Sequence, residues 1–369
     1  MSADQRCSAA TFETDAAAAL EACKAMLARV NLTDAARASA MKIEGRALHK
    51  LGRLDEAIRT YDAALTLAPG DPELHLRRGW TAFDKRDLQL VFDHTTVALG
   101  LKPDYADAYD LMGAALAISG PEKFADAKAA YQQAVRLDPL RPLPREHLYQ
   151  LLSRRYPEDA LREVDALLQL PAAVLTSANG TTWFKARVSY RTFGNLARIT
   201  LLERLGRRNE ARQAADRAVT DDPREAITWA CRAEFNLLSS APEASAQADI
   251  DKSLALDPKL SFPRYVQAKI HFYGKRYDAA AADFAAAVKL DPVQADVRWW
   301  HALALRELGR VEEASLEAVA AFRVEPNFII RKGAALQKLG YLVIPKSDKD
   351  VWPAIEDAAR ACMLDRDCS

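Results

Sequence analysis

Along most of the chain apolar residues return every three or four positions, and short polar turns and prolines interrupt the pattern at regular intervals. Ala57, Tyr61 and Ala64 show the unit: steps of four and then three put all three on one face of a helix. Pro69 closes that stretch, and Pro103, Pro139, Pro223, Pro258, Pro292 and Pro326 close others resembling AxxxYxxAxxLxP. The differences between successive members of this series are 34, 36, 84, 35, 34 and 34. The long interval from Pro139 to Pro223 exceeds two repeats and falls short of three, so it holds an irregular stretch. Each of the shorter intervals accommodates two amphipathic helices.

The best-formed unit spans residues 38–71. Gly45 stands where the first helix must approach the second closely, and Gly52 falls in the turn between them. Gly79 and Gly113 follow Gly45 at the same period as the prolines. A period of 34 with small residues at 45, 57 and 64 around Tyr61 resembles the tetratricopeptide repeat. The resemblance implies an all-α fold, a right-handed superhelical solenoid of helix-turn-helix repeats. It divides the chain into an N-terminal capping helix region (1–37) and a first sub-array of three clear repeats plus one degenerate repeat (38–171). An irregular connection (172–191), a second sub-array of four repeats (192–326) and C-terminal capping helices (327–369) follow. Within the connection, residues 177–182 read as a turn and 183–190 as the start of a long helix.

Composition narrows the partners. Charged residues are 28% and hydrophobic ones 50%, and Lys+Arg and Asp+Glu are equal at 51 each. A net charge of zero argues against nucleic acid or an anionic membrane as main partner, since both reward a basic face. No apolar run approaches the roughly 18 residues that a membrane-spanning helix requires. Residues 1–13 show no signal-peptide pattern, which slightly favours the cytoplasm. The cysteines pull the other way. Cys7 and Cys23 flank the first helical pattern, Cys362 and Cys368 the last, and Cys231 stands alone. Two such local pairs read as disulfide clips in an oxidising compartment, or else as reduced, partly buried small side chains.

No catalytic constellation emerges. The chain has no GxSxG, phosphate-binding loop, HExxH or CxxC, and its six histidines are scattered singly over different repeats. The expectation is a noncatalytic protein with no cofactor and no metal.

In the tetratricopeptide family the first helices of successive repeats line a concave groove. With Gly45 as reference, the groove receives Lys42, Arg46 and His49 from the first repeat. The second supplies Leu76, Trp80 and Phe83 with Arg77 beside them, and the third supplies Asp107 and Asp110. Lys42, Arg46 and Arg77 form a basic strip suited to an acidic peptide segment. A chaperone-type carboxylate clamp is not implied, because only Lys42 matches that pattern. In the second sub-array Phe262, Tyr265, Lys269 and Phe272 fall at groove positions, with Trp299 one repeat further on. Exposed rings on a concave wall make strong anchors, and a register error of one position turns Trp299 into core. The implied function is a protein–protein interaction scaffold that holds an extended peptide or helix of a partner protein. The alternative is a structural component acting through self-association or its convex face.

Overall fold

Turn chemistry explains where each repeat bends. In a computed structural model the protein is described at Cys7 and residues 15–29, 31–176, 181–183, 186–239, 242–325, 328, 332–343 and 348–365. After α1 (Ala16–Leu27), the first repeat pairs α2 (Asp34–Lys50) with α3 (Leu54–Leu67). Between them the Arg53 N–H donates to the Leu48 carbonyl and the Gly52 N–H to His49, each at 2.9 Å. That closure needs a left-handed residue, and Gly52 supplies φ +76°. The same turn recurs with Gly206 and Gly309, but Arg86 and Lys275 fill it at φ 61° and 57°.

The prolines act at the other end of the repeat. A residue preceding proline is pushed out of the helical region. Ala68, Lys102, Asp138, Asp222, Asp257 and Asp291 accordingly end their helices at φ between −131° and −144°.

The chain forms two compact units, residues 1–175 and 176–369. In the first, α2/α3 is followed by α4 (Pro72–Asp84) with α5 (Leu88–Leu101), and then by α6 (Ala106–Ser119) with α7 (Phe124–Leu137). Next come α8 (Leu143–Leu152) with α9 (Pro157–Leu168), and the short α10 (Ala172–Leu175). The second unit opens with an antiparallel hairpin, β1 (Thr181–Trp183) and β2 (Ala186–Val188), in which Thr181 pairs with Val188. Four helix pairs follow: α11 (Tyr190–Arg204) with α12 (Arg208–Asp221), α13 (Ala226–Leu238) with α14 (Glu243–Leu256), α15 (Ser261–Tyr273) with α16 (Tyr277–Leu290), and α17 (Ala295–Glu307) with α18 (Val311–Val324). The unit closes with α19 (Ala334–Lys338) and α20 (Asp348–Leu364). Each unit is thus a helical solenoid of stacked pairs.

The hairpin corrects one expectation. Trp183 and residues 186–188 do not begin a helix. Thr, Trp and Val favour extended backbone, and α11 starts only where the Ser189 hydroxyl accepts the Thr192 N–H at 3.0 Å. Residues 177–180 of the expected turn lie outside the described residues.

Packing follows the periodicity. Ala57, Tyr61 and Ala64 are fully buried, as are Ala280, Phe284 and Ala287 at the same register in the second unit. Ion pairs about one repeat apart in sequence link neighbouring pairs of helices. Lys42 reaches Asp71 at 2.9 Å, Lys128 reaches Asp159 at 3.0 Å, and Lys269 reaches Glu234 at 2.6 Å. At the N-terminal end Cys7 and Cys23 form a disulfide and pack with Ala22 and Ala40. Cys362 is buried and also disulfide-bonded, while Cys368 lies outside the described residues.

Candidate partner-binding groove

In the first unit, residues from four successive first helices and the adjoining turn meet around a concave cavity of about 570 Å³. Arg46, His49 and Lys50 come from α2, Arg77 and Trp80 from α4, and Asp107 from α6. Arg141 and Leu143 enter from the start of the fourth repeat, and Tyr61 of α3 contributes to the wall from below. Arg46, Lys50, Arg77 and Arg141 make the lining basic, against the single carboxylate of Asp107.

Lys42 does not line this cavity. Its ammonium is held by Asp71 at 2.9 Å and Glu73 at 3.0 Å. Burial lowers the Lys42 pKa, but the two carboxylates outweigh it and the net shift is upward. Glu73 also meets Arg77 at 3.3 Å, so one carboxylate bridges both bases. Burial pushes the Glu73 pKa up, and its bonds to Lys42 and the charge of Arg77 bring it below the ordinary value. On the opposite side His49 bonds Asp84 at 2.6 Å and the Thr81 hydroxyl at 3.1 Å. Asp107 and Arg141 form an ion pair across the third and fourth repeats. Asp110 is buried and bonded to His147 at 2.7 Å, which takes it out of the groove surface.

Sequence reasoning missed Lys50, Tyr61 and Arg141 as lining residues. Leu143 was legible: like Glu73 and Asp107 it stands four residues after a repeat-closing proline, whereas Arg141 falls two residues earlier, in the turn, because the third repeat is two residues longer.

The second unit corrects the aromatic expectation. Trp299 is 2% exposed and Phe262 1%, so both are core rather than anchors. The cause at Trp299 is the chain itself: Phe322 of α18 lies edge-on at 5.8 Å, and Phe328, past the last repeat, lies at 6.0 Å. Phe262 packs on Tyr265 at 6.1 Å. Lys269 is 5% exposed, and besides its pair with Glu234 its ammonium lies over the rings of Tyr265 (5.2 Å) and Trp300 (5.7 Å). Burial, and then the charge of Glu234, push the Tyr265 hydroxyl pKa well up. Phe272 is half-buried and edge-on to Trp300 at 5.3 Å. Tyr265, Lys269 and Phe272 therefore gather around Trp300, and Trp299 points elsewhere.

Among the described residues no group of three or more His, Cys, Asp or Glu is placed to hold a metal ion, and no helix is long and apolar enough to cross a membrane. Burial raises the thiol pKa of the free Cys231 well above its usual value, with Glu234 and Glu203 adding to the effect.

The family model described as TPR repeat matches residues 45–83, and that described as tetratricopeptide repeat matches residues 265–325. Both units therefore carry tetratricopeptide repeats. Such arrays are in general noncatalytic scaffolds for protein–protein interaction. The human protein O-mannosyl-transferase TMTC1 is 36% identical over 117 residues, which cover 30% of this chain and 13% of that protein. The match thus spans only a small part of that transferase. Among solved structures, the Cut9–Hcn1 hetero-tetramer of APC/C gives a TM-score of 0.47 at 11% identity, covering 83% of this chain and 56% of that one. A tetratricopeptide repeat protein from Parabacteroides merdae ATCC 43184 gives 0.42 at 15% identity, covering 80% and 94%.

Proposed function

We propose that this protein is an interaction scaffold whose first unit takes an extended, acidic segment of a partner protein in the cavity between Arg46 and Arg141. The observation that carries the reading is the lining itself: Arg46, Lys50, Arg77 and Arg141 against a single acidic residue, Asp107, with Trp80 as an apolar contact. Opposite charge draws the segment in and fixes its register, and the ring supplies contact area. The cavity is preformed by the stacked helices, so little ordering entropy opposes binding. Tyr265, Lys269 and Phe272 take no part in this reading.

The test uses the full chain and a fluorescein-labelled decapeptide containing four glutamates, beside its all-glutamine counterpart. Fluorescence anisotropy should show binding of the acidic peptide, weakening as salt rises, and loss of it in Arg46→Gln/Arg77→Gln. Equal affinity for both peptides, or no effect of the double substitution, refutes the proposal. Tighter binding of a labelled single-stranded oligonucleotide at the same residues refutes it in favour of a different ligand class.

A further inference from the structure

We infer that the Tyr61 hydroxyl is part of the recognition surface, donating a hydrogen bond to a carboxylate of the acidic segment that Arg46 and Arg77 draw into the cavity. The inference rests on the proposed groove and adds to it a residue whose family register is one of packing.

The first observation is an unanswered polar atom. Tyr61 is 0% exposed, and its hydroxyl has no hydrogen-bond partner among the described residues. Leaving such a group buried and unbonded is unfavourable, because its bonds to water are lost and not replaced. The second observation is its position. Tyr61 forms part of the wall of the cavity that Arg46 and Arg77 also line, and the charges of those two arginines act on it. Its ring lies flat against the helix at Gly45, where a methyl group would meet Cε1 at 2.5 Å and Cζ at 2.7 Å. A glycine at that point lets the far end of the ring pass α2.

The third observation removes the bland explanation. Phe284 occupies the corresponding register in the second unit, between Ala280 and Ala287, and is fully buried. A ring without a hydroxyl therefore satisfies the packing demand of the fold. The oxygen at Tyr61 adds nothing to that packing, and it becomes favourable only when something in the cavity bonds it.

The chemistry of the pocket then selects the ligand. Burial raises the Tyr61 pKa far above its ordinary value, an effect that Arg77 and Arg46 only partly offset, so the phenol remains protonated and is a donor. A phenol donor in a cavity lined also by two arginines complements an anionic oxygen, and such charge-assisted hydrogen bonds are short and about twice as strong as neutral ones. Because the hydroxyl is closed off from bulk water in the unliganded groove, the carboxylate reaches it as the long arginine side chains rearrange around the charge.

Tyr61→Phe isolates the oxygen, since it keeps the ring and its contact with Gly45. The same labelled glutamate decapeptide should bind the Phe variant about tenfold or more weakly, matching the worth of a hydrogen bond to a charged group. The midpoint of thermal unfolding should hold or rise, because an unbonded buried hydroxyl has been removed. Unchanged affinity in Tyr61→Phe, alongside lost binding in Arg46→Gln/Arg77→Gln, overturns the role of the hydroxyl and leaves the groove standing. Loss of binding together with a lowered midpoint assigns Tyr61 to stability and overturns the inference as well. No binding of the acidic peptide by the parent protein overturns both readings.

Discussion

Replacing Gly45 with alanine sets two opposed effects against each other, and the structure decides between them. Gly45 lies inside α2, where alanine is favoured over glycine by about 1 kcal/mol on helix propensity alone. An added Cβ would stand 2.5, 2.7 and 2.9 Å from three ring atoms of Tyr61. That ring is fully buried and rigid, so relief requires the two helices to move apart, and overpacking of this kind costs roughly 1–3 kcal/mol or more. The expected net effect is a destabilisation of about 1–2 kcal/mol. Gly100 is the control: it lies in α5 with nothing within 4 Å of an added Cβ, and alanine there should stabilise by up to about 1 kcal/mol. Urea unfolding followed by far-UV circular dichroism compares the midpoints, with the slope checked for constancy. If Gly45→Ala unfolds at the same or a higher urea concentration than the parent, the close approach of α2 to Tyr61 is wrong.

Lys275→Gly should stabilise by about 0.5–1 kcal/mol, because Lys275 holds the turn at φ 57° where Gly309 serves one repeat later; a lower unfolding midpoint would refute this. His147 is lowered in pKa by burial but raised more by its bond to the buried Asp110 and by the charges of Asp110 and Glu146, and the net shift is upward from 6.5. The stability it adds is therefore present in full below pH 6.5 and lost as pH rises through the raised value, so the melting temperature should fall over that window and His147→Gln should remove this component. Reducing the Cys7–Cys23 bond, which spans 16 residues, should destabilise the packing of α1 by about 3 kcal/mol, read as faster amide exchange at residues 16–27; unchanged protection would refute a structural role.

Legibility varied with the reach of the forces involved. The repeat boundaries lie in local chemistry: a residue before proline leaves the helix whatever surrounds it, so Asp138, Asp257 and Asp291 end helices as their sequence context says. The turn at Arg86 was hidden, because the left-handed conformation there is imposed by the repeat and not advertised by a glycine. The groove was half visible. Arg46 lines it as its register implies and Arg77 lines it from beside the register positions, yet Lys42 is held by Asp71 and Glu73 of the next repeat. Trp299 was misread for a longer-range reason. It shares the register of Tyr265, but Phe328 from beyond the last repeat covers it, and no repeat periodicity announces a segment that breaks the period.

The ion pairs that join neighbouring repeats have a consequence for how the solenoid comes apart. In a linear array the strength of each interface sets how far a local opening travels before it stops. Lys42–Asp71, Lys128–Asp159 and Lys269–Glu234 belong to those interfaces, whereas the apolar contacts of Tyr61 and Phe284 lie mainly within a repeat. Dissolved salt weakens Lys128–Asp159, the most open of the three, more than Lys269–Glu234, whose lysine is buried, and it leaves the apolar layers intact. Ionic strength thereby tunes cooperativity separately from stability: at high salt the repeats melt more independently, and at low salt they melt in longer blocks.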